Sequence, residues 1–159
     1  MDRLLEVAME RKLSGLEWAG GLPGTLGGAI RGNAGAFQGE IKDSVAEVTS
    51  LNISGKTPNV LKRKGAECRF DYRTSVFKEK NGTEIVLSAV LQLKRGDKRE
   101  IRAATEEKIA YRMARHPMDY PNIGSIFKNV DWCFIPPKHR NELAKVVKLD
   151  PFPVVPAAY

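Results

Sequence analysis

Nine glycines lie between Gly15 and Gly39, and this density constrains the fold more than any other feature of the chain. Close packing of backbone against backbone does not by itself require so many glycines in one segment. Within the segment, Pro23-Gly24-Thr25 precedes Gly27-Gly28, where a short helix can begin. Backbone N–H groups at a helix start bind phosphate, and glycine lets a ligand approach the backbone closely. From spacing alone, a phosphate-binding loop and a packed glycine-rich turn are about equally supported. The spacing is neither G-x-G-x-x-G nor a P-loop.

Hydrophobic periodicity predicts helices on both sides of strand-forming sequence. A short helix is expected from the first residues to a stop at Ser14-Gly15. An amphipathic helix is expected from Asp97 to about Arg115, ending before His116-Pro117. Its apolar residues are Ile101, Ala104, Ile109 and Met113. Another helix is expected near 137–147.

Two strands are predicted after Asp43. The first is an extended run marked by Val45, Val48, Leu51 and Ile53. The second, from Ile85 to Leu93, alternates cleanly between apolar and other residues. Its apolar face is predicted to consist of Ile85, Leu87, Ala89, Leu91 and Leu93. Such alternation is typical of a half-buried strand.

Charge and composition restrict the function class. The 159 residues carry 26 Lys and Arg against 19 Asp and Glu, a net charge of +7, which favours an anionic partner. The cations are spread along the chain, which disfavours nucleic acid. Apolar runs are too short for a membrane helix, and Asp2, Arg3 and Glu6 interrupt any apolar core of a signal peptide, so the expected location is the cytoplasm. Two cysteines and two histidines, Cys68, Cys133, His116 and His139, have no metal-ligand spacing, so no metal site is expected.

The glycine segment resembles the second half of the flavin-binding region of UDP-N-acetylenolpyruvoylglucosamine reductases, where G-[IL]-P-G-[ST]-x-G-G precedes N-A-G-A. The resemblance implies flavin adenine dinucleotide (FAD) as cofactor, bound near its diphosphate. Phe37 stands where the family usually has tyrosine. The implied cofactor-binding residues are Gly21, Leu22, Pro23, Gly24, Thr25, Gly27, Gly28, Asn33, Ala34 and Gly35.

A second motif, F-x-Y-R-x-S-x-F, runs from Phe70 to Phe77 and is similar to the Y-R-x-S-x-F of these reductases. By this resemblance Arg73 is catalytic, pairing with the enolpyruvyl carboxylate of the substrate, and Tyr72 binds substrate. A planar, permanently charged guanidinium suits a carboxylate and can stabilise developing negative charge. The residues alone would also fit a surface arginine after a loop.

A third motif, Gly124 to Asn129, is similar to the family's G-S-x-F-K-N. The resemblance makes Ser125 the general acid that protonates the substrate carbon next to the carboxylate. It places Lys128 and Asn129 near the substrate's nucleotide and phosphates. The residues alone would also fit a hairpin with incidental polar side chains. All three motifs occur in the family's order and spacing.

The resemblance implies an α+β fold: the second flavin-binding subdomain of a vanillyl-alcohol-oxidase-like fold over residues 1–97, and the start of the substrate-binding domain over 98–159. The implied reaction is reduction of UDP-N-acetylglucosamine enolpyruvate to UDP-N-acetylmuramate with NADPH as hydride donor, in peptidoglycan synthesis. Two alternatives stay open. One is a different flavin oxidase of the same superfamily, and the other is a basic, non-enzymatic module that binds anions.

The resemblance covers essentially this whole chain but only the middle of the family. The family has a glycine-rich flavin loop upstream and a glutamate in an S-E-x-H-like segment downstream. We expect those segments to be the missing partners of this chain. Half of a cofactor cleft would hold flavin weakly or not at all, so we expect no useful turnover from this polypeptide alone.

Overall fold

The computed structural model describes residues 1–80, 82–116, 119–121, 123–149 and 152–157, which fall into two units, Met1–Asn122 and Ile123–Tyr159. The elements of the first unit are α1 (Asp2–Glu10), β1 (Leu13–Ser14), α2 (Leu26–Gly32), β2 (Gly35–Ala36), β3 (Gly39–Glu40), β4 (Val45–Asn52), β5 (Asn59–Lys64), α3 (Val76–Glu79), β6 (Glu84–Leu91), β7 (Lys94–Arg95) and α4 (Lys98–Arg115). Those of the second are β8 (Val130–Asp131), α5 (Pro137–Leu143) and β9 (Val154–Val155). This mixture of helices and antiparallel strands confirms the α+β class.

A three-stranded antiparallel sheet, in the order β5-β4-β6, supports the first unit. Its inner face contributes Val48 to a core with α1, α2 and α3. The largest fully buried apolar side chains of that core are Leu16, Ile30, Ile41, Val48 and Phe77. On the outer face Leu51 lies between Val60 and Ile85, both exposed.

The predicted apolar face of β6 is wrong over its first half. Ile85 and Leu87 are 47% and 55% exposed, whereas Val86 and Ala89 pack against the core. The pairing explains this change of face: Thr49 faces Ser88 and the next residue, Ser50, faces Val86, so Leu87 has no partner on β4. The extra residue is a β-bulge, which reverses the inward side of the strand.

Helix α4 begins where predicted, because the Asp97 side chain accepts hydrogen bonds from the N–H groups of Arg99 and Glu100. It ends at Arg115, and Pro117 lies outside the described residues. The predicted apolar stripe is wrong at Met113, which is 63% exposed. Met113 projects about 120° from Ile101 at 3.6 residues per turn. The inward stripe instead combines Ile101 and Thr105 with the half-buried Lys108 and Arg112.

The first helix is confirmed, although it ends at Glu10 rather than at Ser14-Gly15. Lys12 adopts a left-handed backbone (φ 57°), and the chain then pairs Leu13–Ser14 with Lys94–Arg95. The predicted division at residue 97 stays a prediction about functional domains. Within the first unit, α4 packs against the short 3₁₀ turn Glu17–Ala19.

A buried carboxylate ties the sheet together on its inner face. Glu84 is 3% exposed and forms a bidentate salt bridge with Arg63, whose Nε and Nη2 donate to Oε1 and Oε2 at 2.9 and 3.0 Å. Ser50 donates a hydrogen bond to the same carboxylate at 2.6 Å, and Lys80 Nζ lies 2.9 Å away. These cationic and hydroxyl donors, led by Arg63, lower the pKa of Glu84 to about 2.

The second unit is small and built on one strand pair. β8 and β9 run antiparallel, and the buried apolar residues of this unit include Ile135, Val154 and Val155. Helix α5 confirms the helix expected near 137–147, and the 3₁₀ turn Ala144–Val146 extends it. Arg140 Nε donates to the Ile135 carbonyl at 2.9 Å, which holds the helix to the turn before it. Among the described residues of either unit, no helix is long and apolar enough to cross a membrane.

Candidate functional site

The glycine segment forms the helix start that its sequence predicts. Thr25 is the N-cap of α2, and its Oγ1 accepts a hydrogen bond from the Gly28 N–H at 3.1 Å. The Gly28 amide is therefore occupied within the protein. The N–H groups of Leu26 and Gly27 donate no hydrogen bond in the described part of the chain. These two amides are the donors that the helix start offers to a ligand.

The glycines of this segment serve two different purposes. At Gly35 a Cβ would lie 2.7 Å from Glu40 Cγ and 3.0 Å from an Arg73 nitrogen, so close packing excludes a side chain there. At Gly24 a Cβ would have no heavy atom within 4 Å, and at Gly27 it would meet only Val86, at 4.0 Å. The second group faces open space, as expected where a ligand approaches the backbone.

Asn33 joins the first motif to the second. It caps the C-terminal end of α2 in a left-handed conformation (φ 42°) and is fully buried. Its Nδ2 donates to the Asp71 carbonyl at 3.0 Å, and its Oδ1 accepts from the Lys42 N–H at 3.2 Å. Because both ends of this amide are bonded within the protein, its side chain positions the backbone of the following residues.

Arg73 lies in the tight turn between Asp71 and Thr74 and also has a left-handed backbone (φ 53°). Its Nη1 donates to the Asn33 carbonyl at 3.3 Å and to Glu40 Oε1 at 3.4 Å, and its Nη2 donates to the Gly35 carbonyl at 2.5 Å. The predicted catalytic arginine therefore touches the backbone of the predicted cofactor-binding residues. The first and second motifs are therefore in direct contact.

The guanidinium of Arg73 keeps some hydrogen-bonding capacity. Arginine has five N–H donors, and three are used in these contacts. Nε–H and one Nη2–H have no acceptor among the described residues, and the side chain is 32% exposed. Tyr72 packs its ring 4.9 Å from the Arg73 guanidinium carbon. A fixed, partly exposed guanidinium of this kind is suited to an anionic group.

The hairpin β2–β3 carries an aromatic side chain at its tip. Phe37 and Gln38 form its two-residue turn, both with left-handed backbones (φ 50° and 63°). The Phe37 ring meets Tyr111 edge-on at 5.1 Å, with Lys108 Nζ and the Arg112 guanidinium carbon 5.1 and 5.3 Å from its centre. Helix α4 thus holds the hairpin whose base contacts Arg73.

The sequence predicts no site role for Glu40, Lys108 or Arg112, although Arg112 belongs to a helix end that resembles the arginine-rich one of the family. The available signal was the spacing of Lys108 and Arg112 from Ile101 and Thr105, which puts these cations on the inward stripe of α4. Burial lowers the pKa of Arg112. Its Nε donates to the Gly20 carbonyl at 2.8 Å, whereas its buried Nη2 has no partner in the part of the chain that the structure describes.

The third motif lies in the second unit. Ser125 and Lys128 are exposed, and the stretch from Gly124 to Asn129 contains no helix or strand. The half-buried Asn129 accepts a hydrogen bond at Oδ1 from the Ala157 N–H, at 3.1 Å. Across the described positions of both units, no cluster of three His, Cys, Asp or Glu side chains could hold a metal ion.

Comparison with curated proteins and with solved structures finds relatives that carry the name UDP-N-acetylenolpyruvoylglucosamine reductase. The chain is 43% identical over 128 residues to the UDP-N-acetylenolpyruvoylglucosamine reductase of Caldanaerobacter subterraneus subsp. tengcongensis, a match that covers 80% of this chain and 41% of the relative. It is 42% identical over 132 residues to the Listeria innocua reductase, covering 83% of this chain and 41% of the relative.

A crystal structure of the Thermus caldophilus reductase superposes with a TM-score of 0.65 at 28% identity, covering 90% of this chain and 49% of that one. The predicted resemblance to the UDP-N-acetylenolpyruvoylglucosamine reductases is confirmed. No family model matches the chain. The chain spans about two fifths of the length of the curated reductases that it matches.

Proposed function

We propose that this chain forms the middle of a flavin-dependent UDP-N-acetylenolpyruvoylglucosamine reductase, in the cytoplasmic part of peptidoglycan synthesis. The observation that carries the proposal is the contact of Arg73 with the Asn33 and Gly35 carbonyls. A reductase of this kind needs a carboxylate-binding cation beside its cofactor. The names of the relatives support the same substrate, UDP-N-acetylglucosamine enolpyruvate.

The residues of the glycine segment fit a dinucleotide cofactor. Gly24 and Gly27 leave room at the backbone, and the Leu26 and Gly27 amides have hydrogens available for phosphate oxygens. FAD, once reduced by NADPH, would supply the hydride for the enolpyruvyl double bond. The residues of the glycine segment would hold the FAD, and the backbone of Asn33 and Gly35 would line the site next to Arg73.

Arg73 would bind the substrate carboxylate. Its three internal hydrogen bonds set the plane of the guanidinium before the substrate arrives, and its remaining donors, Nε–H and one Nη2–H, can donate to the carboxylate oxygens. A cation fixed in this way needs no reorganisation when negative charge grows on the substrate. Tyr72 would limit the motion of the guanidinium by packing against it.

Ser125 would deliver the proton that completes the reduction, and Lys128 and Asn129 would bind the nucleotide and phosphates of the substrate. The support for these roles is their match to the third motif, together with the exposure of Ser125 and Lys128. A serine hydroxyl is a weak acid and protonates only a strongly basic, carbanion-like centre at close range.

A segment exchange tests this proposal. The matched part of the Caldanaerobacter reductase is replaced by the corresponding residues of this chain, and bound flavin and NADPH-dependent reduction of the UDP-sugar are measured. We expect both, and Arg73→Lys should lower kcat by about a hundredfold with flavin retained. A folded hybrid without flavin contradicts the cofactor assignment. A flavin-bearing hybrid that fails to reduce the UDP-sugar but oxidises other substrates supports a different flavin oxidase. Salt-dependent binding to random-sequence duplex would support the basic module.

The chain alone should hold flavin weakly or not at all, because relatives extend well beyond the matched region. Visible flavin absorbance that persists through gel filtration of the purified chain would contradict this expectation.

A further inference from the structure

A single arginine fixes the peptide at the entrance of the glycine segment. Ala19 to Leu22 forms a tight turn in which the Leu22 N–H donates to the Ala19 carbonyl at 2.9 Å. Gly20 has φ −50° and ψ 120°, and Gly21 has φ 66°. These angles define a type II turn. The carbonyl of its central peptide, that of Gly20, accepts the hydrogen bond from Arg112 Nε at 2.8 Å.

This contact decides which way the Gly20–Gly21 peptide faces. In a planar trans peptide the N–H points opposite to the C=O. With the Gly20 carbonyl held toward α4, the Gly21 N–H is directed away from Arg112. A type I turn would reverse the peptide, which removes the carbonyl from the arginine.

Packing against α4 leaves little freedom at this point. A Cβ at Gly20 would lie 2.6 Å from the Thr105 carbonyl oxygen, and a Cβ at Gly21 would lie 3.1 Å from Arg112 Cδ. Helix α4 therefore approaches the backbone itself. Gly21 is half-buried, and its N–H makes no hydrogen bond within the described residues.

From these contacts we infer that Arg112 is a positioning residue, which pins the Gly20–Gly21 peptide so that the Gly21 N–H binds an acceptor oxygen of the ligand in the glycine segment. The ligand class is a dinucleotide with phosphate or carbonyl oxygens. This inference rests on the proposed flavin function. It adds one donor to the two amides at the start of α2, on the preceding turn.

The test is amide NMR of the chain labelled with ¹⁵N-glycine, titrated with FAD to millimolar concentration. This method detects weak binding. We expect the Gly21 resonance to shift together with those of Gly24 and Gly27. Arg112→Met should abolish the Gly21 response and weaken binding about tenfold, the typical effect of losing one oriented hydrogen bond. Arg112→Lys should restore part of both, because its ammonium can still donate to the Gly20 carbonyl.

Arg102→Met is the matched control, since Arg102 is an exposed arginine on the same helix, paired with Glu106. It should leave the titration unchanged. Shifts at Gly24 and Gly27 with none at Gly21 overturn the inference and leave the flavin function standing. So does an Arg112→Met variant that keeps the Gly21 response. If no glycine amide of the segment responds in this chain, the same titration is run on the Caldanaerobacter hybrid, where silence at every glycine of the segment overturns both the flavin function and the inference.

Discussion

Arg73 donates a hydrogen bond to the backbone carbonyl of Gly35, 38 positions earlier in the chain, at 2.5 Å. This bond places the permanent charge of the second motif against the last residues of the first. Its acceptor is a main-chain atom, so the contact is insensitive to the side chains on the hairpin. The geometry depends instead on the space that Gly35 leaves beside the guanidinium.

Arg73 should contribute to stability as well as to chemistry. Arg73→Lys removes the planar fork that reaches Asn33, Gly35 and Glu40 together, and a lysine ammonium cannot satisfy all three acceptors. We expect a loss of about 1–3 kcal/mol in the free energy of unfolding, measured by urea denaturation. Arg99→Lys, at an exposed position of α4, is the control and should change little. Equal stabilities for both variants would show that the three contacts carry no weight.

The two kinds of glycine predict opposite effects of the same substitution. Gly35→Ala should destabilise the chain by about 1–3 kcal/mol, because the new Cβ collides with Glu40 and displaces Arg73. Gly32→Ala, in α2, has open space around its Cβ and should stabilise the chain by about 0.5–1 kcal/mol. Thermal unfolding of both variants checks the pair. A stabilising Gly35→Ala would contradict the packing described here.

Glu84 should dominate the acid sensitivity of the sheet. Its pKa is lowered to about 2 in the folded chain, chiefly by Arg63, so its contribution is complete above the ordinary glutamate pKa and disappears as the pH falls toward 2. We expect a loss on the order of 2–3 kcal/mol between pH 5 and pH 2. Urea midpoints across this range should fall less steeply for Glu84→Gln than for the wild type.

Glu47→Gln is the matched control for that experiment, because Glu47 pairs with Lys62 on the outer face and is 37% exposed. It should keep the wild-type slope. A Glu84→Gln variant with an unchanged slope would assign the acid sensitivity to other carboxylates.

The β-bulge in β6 predicts a contrast between neighbouring residues. Val86→Thr places a hydroxyl on the core side and should cost about 1–2 kcal/mol. Leu87→Thr affects an exposed side chain and should change stability by less than about 0.5 kcal/mol. Chemical denaturation of the two variants checks the register. A larger loss at Leu87 would restore the uninterrupted alternation that the sequence suggests.

The limits of prediction from sequence are visible in α2 and β6. Thr25 follows Pro23-Gly24 and is a residue type preferred at the N-cap, so the start of α2 could be predicted from local chemistry. The bulge at Leu87 could not, because it depends on which residues of β4 pair with β6. Periodicity within one strand carries no information about an unmatched residue.

The site was predictable to a similar degree. The motifs predict Asn33, Arg73 and Ser125 as site residues. They do not predict the contact between Asn33 and Arg73, because these residues are 40 positions apart in the chain. Arg112 could not be given a site role from sequence, because its charge suggests exposure to solvent. In the structure its aliphatic stem packs over Gly21 and its Nε donates to the Gly20 carbonyl. Long amphipathic side chains on the inward side of a helix are where hydropathy misleads most.

The turn at Phe37 and Gln38 combines a left-handed backbone at two non-glycine residues with an aromatic contact to α4. Asn-Gly adopts this backbone with the least strain, whereas two residues with bulky side chains incur a conformational cost of about 1–3 kcal/mol each. An Asn-Gly hairpin would fold more readily but would present no ring to α4. The turn therefore has a strained backbone but keeps the contact between the Phe37 ring and α4. A variant that optimises this turn for stability alone would lose that contact and detach the hairpin from the helix.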